Sequence, residues 1–284
     1  MMTNSNPGQY QQDEVTREVQ QRLLEMLLVI DDVCKKHGLR YYLIAGTMLG
    51  AVRHHGFVPW DDDADVALPR PDYEKLLEHA DEWFPEQYEL VNEKKDIMYP
   101  YLFSRLQDAR TTYILRRNFN FVGGLPIDIF PIDGMTDNKW ARAIHYAKYN
   151  FIKKLLYFST VNPYKHGHGV RAAFPLLMHR LVSQSWAHRK GSAIQKEYDY
   201  DTSEYIADHD NKPERGIYLK DVFGQPAPVD FEGHQLMGVA KPDDYLRCCY
   251  GDYMQMPKSL PPQNYRFLDL SLPYRVYLQK EHTR

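Results

Sequence analysis

Apolar residues recur at helical spacing over the first forty positions. Val15, Val19, Leu23, Met26, Leu27, Ile30 and Val33 predict a helix from about Asp13 to His37, and Gly38 supplies its stop. The period then changes. YYLIA (41–45) is a short continuous apolar run that predicts a buried strand, and GTMLGAVRHHG (46–56), bounded by glycines, predicts a helix. DADVAL (63–68) predicts a second strand, broken by Pro69, Arg70 and Pro71. Asp72 to Phe84 returns to the helical period, with Tyr73, Leu76, Leu77 and Ala80 on one face. YELVN (88–92), YLFSRL (101–106), TTYIL (111–115) and LPIDIFPI (125–132) predict further strands. Two helical pieces follow, about 138–160 and 170–190, joined by VNPYKHGHG. Strand-like pieces (APVDFEG, HQLMGVA) and a final helix over about 241–250 complete the pattern. Such a succession predicts an α+β fold, a mixed sheet with flanking helices.

Charge changes this picture after Asp137. From Asn138 to Lys196 there are eleven Lys or Arg and no Asp or Glu, while the rest of the chain carries 24 basic against 38 acidic residues. We expect a disordered tail over 1–12, a catalytic core from 13–136 and 213–284, and a basic helical subdomain over 137–212. The aromatic residues of that subdomain (Trp140, Tyr146, Tyr149, Phe151, Tyr157, Phe158, Trp186) either form its core or, beside the lysines, suit peripheral contact with anionic lipid. With 284 residues and a net charge of −3, the chain is no general nucleic-acid binder, and it shows no nucleic-acid-reading motif. Its first dozen residues lack the basic and apolar regions of a signal peptide, and no apolar run approaches the roughly 18 residues of a membrane span. Cys34, Cys248 and Cys249 form no C-x-x-C, so no zinc site is expected. These features point to a reducing, cytoplasmic location, at the inner face of the membrane if the basic helices dock there.

The candidate chemistry lies in FVPWDDDADVAL (57–68), where four acidic residues fall within five positions. Side chains alternate across a strand, so an extended 61–68 places Asp61, Asp63 and Asp65 on one face. Like charges packed that way are costly unless a cation lies between them, and hard divalent ions prefer carboxylate oxygens. The competing reading is a solvated acidic turn. In GLPIDIFPIDG (124–134), Asp128 stands inside an apolar strand, where an isolated aspartate is penalised. It either caps a turn or pairs with an arginine, or it joins the first carboxylates. Asp133, before Gly134, reads as structural. Gly46 and Thr47 follow a strand at a helix start, where backbone N–H groups and the helix dipole suit phosphate. Arg53 either meets a phosphate or pairs with the acidic loop.

Strand, Gly-Thr at a helix start, D-x-D on the next strand and a later single Asp together resemble the nucleotidyltransferase fold. AGTMLGAVRHHGFVPWDDDADVALPRPDYEKLL resembles the signature of the LicD family of phosphocholine transferases, relatives of fukutin; GLPIDIFPIDG and FEGHQLMGVAKPDDYLRCCYGDYMQMP resemble its later blocks. The resemblance implies Mg²⁺-dependent (or Mn²⁺-dependent) transfer of a phosphoalcohol from a CDP-activated alcohol, typically CDP-choline. The acceptor is a sugar hydroxyl of a cell-surface glycan precursor, free or lipid-linked (lipopolysaccharide, teichoic acid or capsule), and CMP leaves. It implies Asp61, Asp63, Asp65 and Asp128 as metal ligands, with Asp63, Asp65 and Asp128 catalytic, and Gly46 and Thr47 at phosphate, where Arg53 is a further candidate; Asp128 either accepts the acceptor's proton or serves only as a metal ligand. Two other readings use the same residues: a nucleotidyltransferase that releases pyrophosphate, and a non-catalytic glycan- or membrane-binding homologue.

Overall fold

The computed structural model describes residues 14–96, 98–116, 119, 121–164, 168–257 and 259–282; the tail expected over 1–12 lies outside them. Helix α1 (Glu14–His37) buries Val19, Leu23, Met26, Leu27 and Ile30. Strand β1 (Tyr42–Leu43), helix α2 (Ala45–His54), strand β2 (Asp65–Pro69) and helix α3 (Arg70–Trp83) follow. Strands β3 (Tyr88–Val91), β4 (Ser104–Leu115) and β5 (Gly123–Met135) come next. The helical stretch comprises α4 (Lys139–Thr160), α5 (Val170–Leu181) and α6 (Gln184–Gln195). Then come β6 (Tyr205–Ala207), the short α7 (Pro213–Gly216), β7 (Ile217–Leu219), the short α8 (Lys220–Phe223), the hairpin β8 (Ala227–Phe231) and β9 (His234–Gly238), α9 (Pro242–Tyr250), β10 (Tyr265–Asp269) and α10 (Tyr274–His282).

The main sheet runs β1-β2-β5-β4-β10, with β3 on β4, and with β6 joining β5 to β7. Among the described residues only β2 and β5 pair in parallel, Asp65 opposite Asp128 and Val66 opposite Ile129. Side chains facing the core, among them Val66, Leu68, Leu106, Ile127 and Ile129, are fully buried against α1 and α3 in one continuous apolar cluster. Two small clusters, around Met135 and Tyr146 and around Ile152, Leu156 and Ala187, join the helical stretch to the sheet.

The structure corrects several expectations. YLFSRL and TTYIL belong to one strand, because the Thr111 hydroxyl donates to the Asp108 carbonyl (2.8 Å) and carries β4 through a register shift instead of a turn. Residues 170–190 form two helices, because Ser183 caps a new one by accepting from the Trp186 N–H. The helix at 242–250 is not the last element, since β10 completes the sheet edge and α10 follows. Strand β2 begins only at Asp65, so strand alternation does not align Asp61 and Asp63 with it. Strand β6, within the stretch expected to be helical, extends the sheet through β5.

Candidate active site

The parallel register of β2 and β5 sets Asp65 and Asp128 side by side at the same level of the sheet. Backbone hydrogen bonds hold both: Ile44 N–H donates to the Asp65 carbonyl (3.2 Å), and Asp128 N–H donates to the Ala64 carbonyl (3.1 Å). Thr47 is buried, and its hydroxyl accepts from the Asp65 N–H at 2.8 Å, so it holds the first carboxylate of β2 in place. The acidic loop before it is held from behind by Gln20 of α1, whose buried side-chain amide donates to the carbonyls of Val58 (3.1 Å) and Asp61 (2.9 Å).

Gly46 is required by close approach. A Cβ there would lie 2.5 Å from Oδ2 of Asp61, so only glycine lets that carboxylate rest against the start of α2. The preceding residue, Ala45, adopts a left-handed backbone (φ 48°), and its N–H donates to the Tyr245 hydroxyl at 2.9 Å. A non-glycine residue in that region stores strain of the kind found at functional sites.

Asp61, Asp62 and Asp63 bring carboxylate oxygens within 4.8 Å of one another. Asp62 turns toward the C-terminal segment, accepting from Asn264 N and Nδ2 (both 2.9 Å); Asn264 Nδ2 also reaches Asp63 at 2.7 Å. Burial raises Asp63 well above the usual carboxylate range, and the charges of Asp65, Asp61 and Asp128 add to that. Burial likewise raises Asp65, followed by the charges of Asp128, Asp61 and Asp208, with Arg105 opposing. Burial pushes Asp61 up to about 6, against a hydrogen bond with Asp63. In this set each carboxylate disfavours ionisation of the next, and it fits a hard divalent cation with oxygen ligands.

Asp128 proves to be both paired and part of the set. Arg105 of β4 grips it, Nε to Oδ1 at 2.6 Å and Nη2 to Oδ2 at 3.0 Å, with its guanidinium 4.3 Å over the Tyr101 ring. Asp133 lies outside the site: it is fully buried and held by Arg70 at 2.6 and 2.8 Å. Arg53 does not pair with the acidic loop. It donates to the Tyr253 carbonyl (2.8 Å) and to His54 (2.9 Å), and burial lowers its pKa.

Two cavities open from the acidic row. One, of about 200 Å³, is lined by Asp63, Asp128, Arg105, Arg116 and the rings of Tyr101, Phe103, Tyr113 and Phe130. The other, of about 380 Å³, is lined by Gly46, Arg53, Asp61, Trp60, Tyr250, Tyr253 and Asp252. Sequence reasoning missed Arg105, Asn264, Arg116 and a second acidic pair, Asp208 and Asp210. Asp210 lines the first cavity and is bound by Lys153 of α4. Asp208 is buried, with its pKa pushed up to about 6 by that burial and by the Asp210 charge. One signal was available: Arg105 in YLFSRL is a cation inside an apolar strand and needs a carboxylate for the same reason that Asp128 needs a cation.

A mixed sheet with carboxylates on adjacent parallel strands beside a glycine-threonine helix start makes a nucleotidyltransferase-like fold. Residues 38–163 match the family described as LicD/FKTN/FKRP, nucleotidyltransferase domain, and this match supports LicD family membership. It is 28% identical over 253 residues to the lipopolysaccharide cholinephosphotransferase LicD of Haemophilus influenzae, covering 85% of this chain and 92% of that protein. Uncharacterized proteins of Rickettsia prowazekii and Rickettsia typhi are each 36% identical over 50 residues, or 18% of this chain and 19% and 16% of theirs. Among the described residues, no helix is long and apolar enough to cross a membrane.

Proposed function

We propose that this chain transfers phosphocholine from CDP-choline to a sugar hydroxyl of a cell-surface glycan precursor, releasing CMP. The observation that carries the reading is the set Asp61, Asp63, Asp65 and Asp128, assembled beside the α2 start with three of its members raised above the carboxylate range. The likeness to a cholinephosphotransferase over 85% of the chain supports the substrate class.

In this reading the four carboxylates hold Mg²⁺, or Mn²⁺, and the bound ion supplies neutralisation of charge on the pyrophosphate as the phosphorus–oxygen bond to CMP breaks. The protein's own part is positional. Thr47 and Gln20 fix the acidic row, and Arg53, without a carboxylate partner among the described residues, faces the cavity of Gly46 and Asp61, where it meets a phosphate oxygen. The aromatic and arginine-lined cavity takes the CMP half, its rings stacking on the base and Arg116 meeting the phosphate. Trp60, Tyr250 and Tyr253 with Asp252 offer the trimethylammonium group aromatic faces and a counter-charge. Asp128 can serve as a ligand through the lone pair that each oxygen keeps beyond its bond from Arg105. Asp128, or Asp210 in the same cavity and paired with Lys153, would take the acceptor's proton.

The test is product analysis with CDP-choline, Mg²⁺ and a pool of glycan acceptors, for wild type and Asp65→Ala. CMP release that needs metal and disappears in the variant supports the reading. Release of pyrophosphate from a nucleoside triphosphate instead, or equal CMP release by both proteins, overturns it.

A further inference from the structure

Helix α4 is apolar on two opposite faces. One face packs inward: Tyr149, Ile152 and Leu156 are buried. The other carries Trp140, Ile144, Ala147 and Phe151 at i, i+4, i+7 and i+11, a single stripe on a helix, and the structure leaves it in solvent, Trp140 at 83% and Phe151 at 60% exposure. Helix α5 repeats the spacing with Val170, Phe174, Leu177 and Leu181, where Val170 is 92% and Leu181 66% exposed. The stripes are continuous, because Phe158 of α4 meets Phe174 of α5 edge to face at 5.1 Å. Exposed apolar residues on a folded chain are normally scattered; a contiguous array marks an interaction surface.

The charges around the array identify its partner. Lys154 flanks the α4 stripe and Arg180 that of α5, both exposed, within a stretch of eleven cations and no acidic residue; Lys148, beside them, pairs with Glu197 at 3.4 Å. A second copy of the chain meeting this face with its own would bring like charges together. A bilayer with anionic headgroups offers what both components need, an apolar layer for the stripes and negative charge for long side chains that reach outward from it. Among the described residues, no helix is long and apolar enough to cross a membrane, so the pair would lie in the interface plane.

We propose that the α4–α5 face docks on an anionic membrane surface. The inference is independent of the proposed chemistry, yet it bears on it: Lys153 of α4 binds Asp210, which lines the carboxylate cavity, so the docked helices are tied directly to the site.

The test is co-sedimentation of the full chain with phosphatidylcholine vesicles, with and without phosphatidylglycerol, at about 0.15 M salt. Two variants accompany it, Phe151→Ser/Phe174→Ser/Leu181→Ser and Lys154→Glu/Arg180→Glu. Both alter exposed side chains only, and circular dichroism and thermal melts verify that they fold. The expected result is binding to anionic vesicles at least about tenfold tighter than to neutral ones, weakened about tenfold or more by either variant. Absence of binding by wild type, or equal binding to both vesicle types, overturns the proposal. So does a wild-type dimer in sedimentation velocity that the serine variant dissolves.

Discussion

In the core, carboxylates stand inside where apolar atoms usually go; in α4 and α5, apolar side chains stand outside where charges usually go. Both regions depart from the pattern that stabilises a fold, and neighbours hold both in place. Gln20, Thr47, Arg105 and Asn264 hold the acidic row. The Asn138 cap, the Lys153–Asp210 pair and the bond of His145 to Glu197 (3.0 Å) hold α4. The difference lies in what each region lacks: the row lacks positive charge, and the helices lack an apolar surface with negative charge. Places where local rules fail while the surroundings remain consistent are where function is expected.

The largest expected effect comes from removing a charge in the row. Asp65→Asn should lower kcat by at least about 10³-fold and at the same time raise the melting temperature at neutral pH. A carboxylate whose folded pKa is raised destabilises the native state above that pKa, and the amide removes the charge. An activity assay and a thermal melt on one preparation check both. Next, Arg105→Met should cost about 3–5 kcal/mol by leaving Asp128 without its cation, and adding Asp128→Asn should restore part of it. Urea titrations of the single and double variants measure the coupling. Gly46→Ala should cost about 1–3 kcal/mol, because its Cβ displaces the Asp61 carboxylate, and should reduce the stabilisation that Mg²⁺ gives in a melt.

A pH effect separates the helical region from the core. Burial holds His145 below its ordinary value, and His209, 2.8 Å away, adds to that. The unfolded chain therefore takes up a proton that the native chain resists, and this contribution to stability is lost as pH falls below about 6.5. His145→Gln should flatten that slope in denaturation curves between pH 7 and 5. The smallest effect is expected at the surface: Phe151→Ser should change stability by no more than about 0.5 kcal/mol, so any larger loss in a urea melt would mean that the stripe is packed in solution.

Local features were readable from the chain. The helical period of α1, the Gly46–Thr47 turn and the run of aspartates need only neighbouring residues to be recognised, and the structure brings Gly46, Asp61, Asp63, Asp65 and Asp128 together. Arg53 reaches the same cavity as Asp61, and Thr47 supports the row from below. What was not readable depends on register. Nothing within YLFSRL says that its arginine will meet Asp128, and nothing near Asn264 says that it will clamp two aspartates about two hundred positions earlier. Asp61 and Asp63 were expected on a strand face, whereas they sit in an irregular loop held by Gln20. Strand β10 was missed because YRFLD has weak alternation, and its pairing with β4 supplies the order that its own pattern lacks.

The parallel pairing of Asp65 with Asp128 also has a consequence in time. The two strands must find each other after the chain between them has looped back, and such non-local parallel contacts close slowly. On a ribosome the acidic row emerges well before either Arg105 or Asp128, so the row remains a solvated loop until the sheet closes around it. Its repulsion is therefore a product of folding, felt at whichever step brings β2 to β5. In a chevron plot, Asp65→Asn should speed the folding limb if that pairing is already present at the barrier, and slow the unfolding limb if it forms afterward.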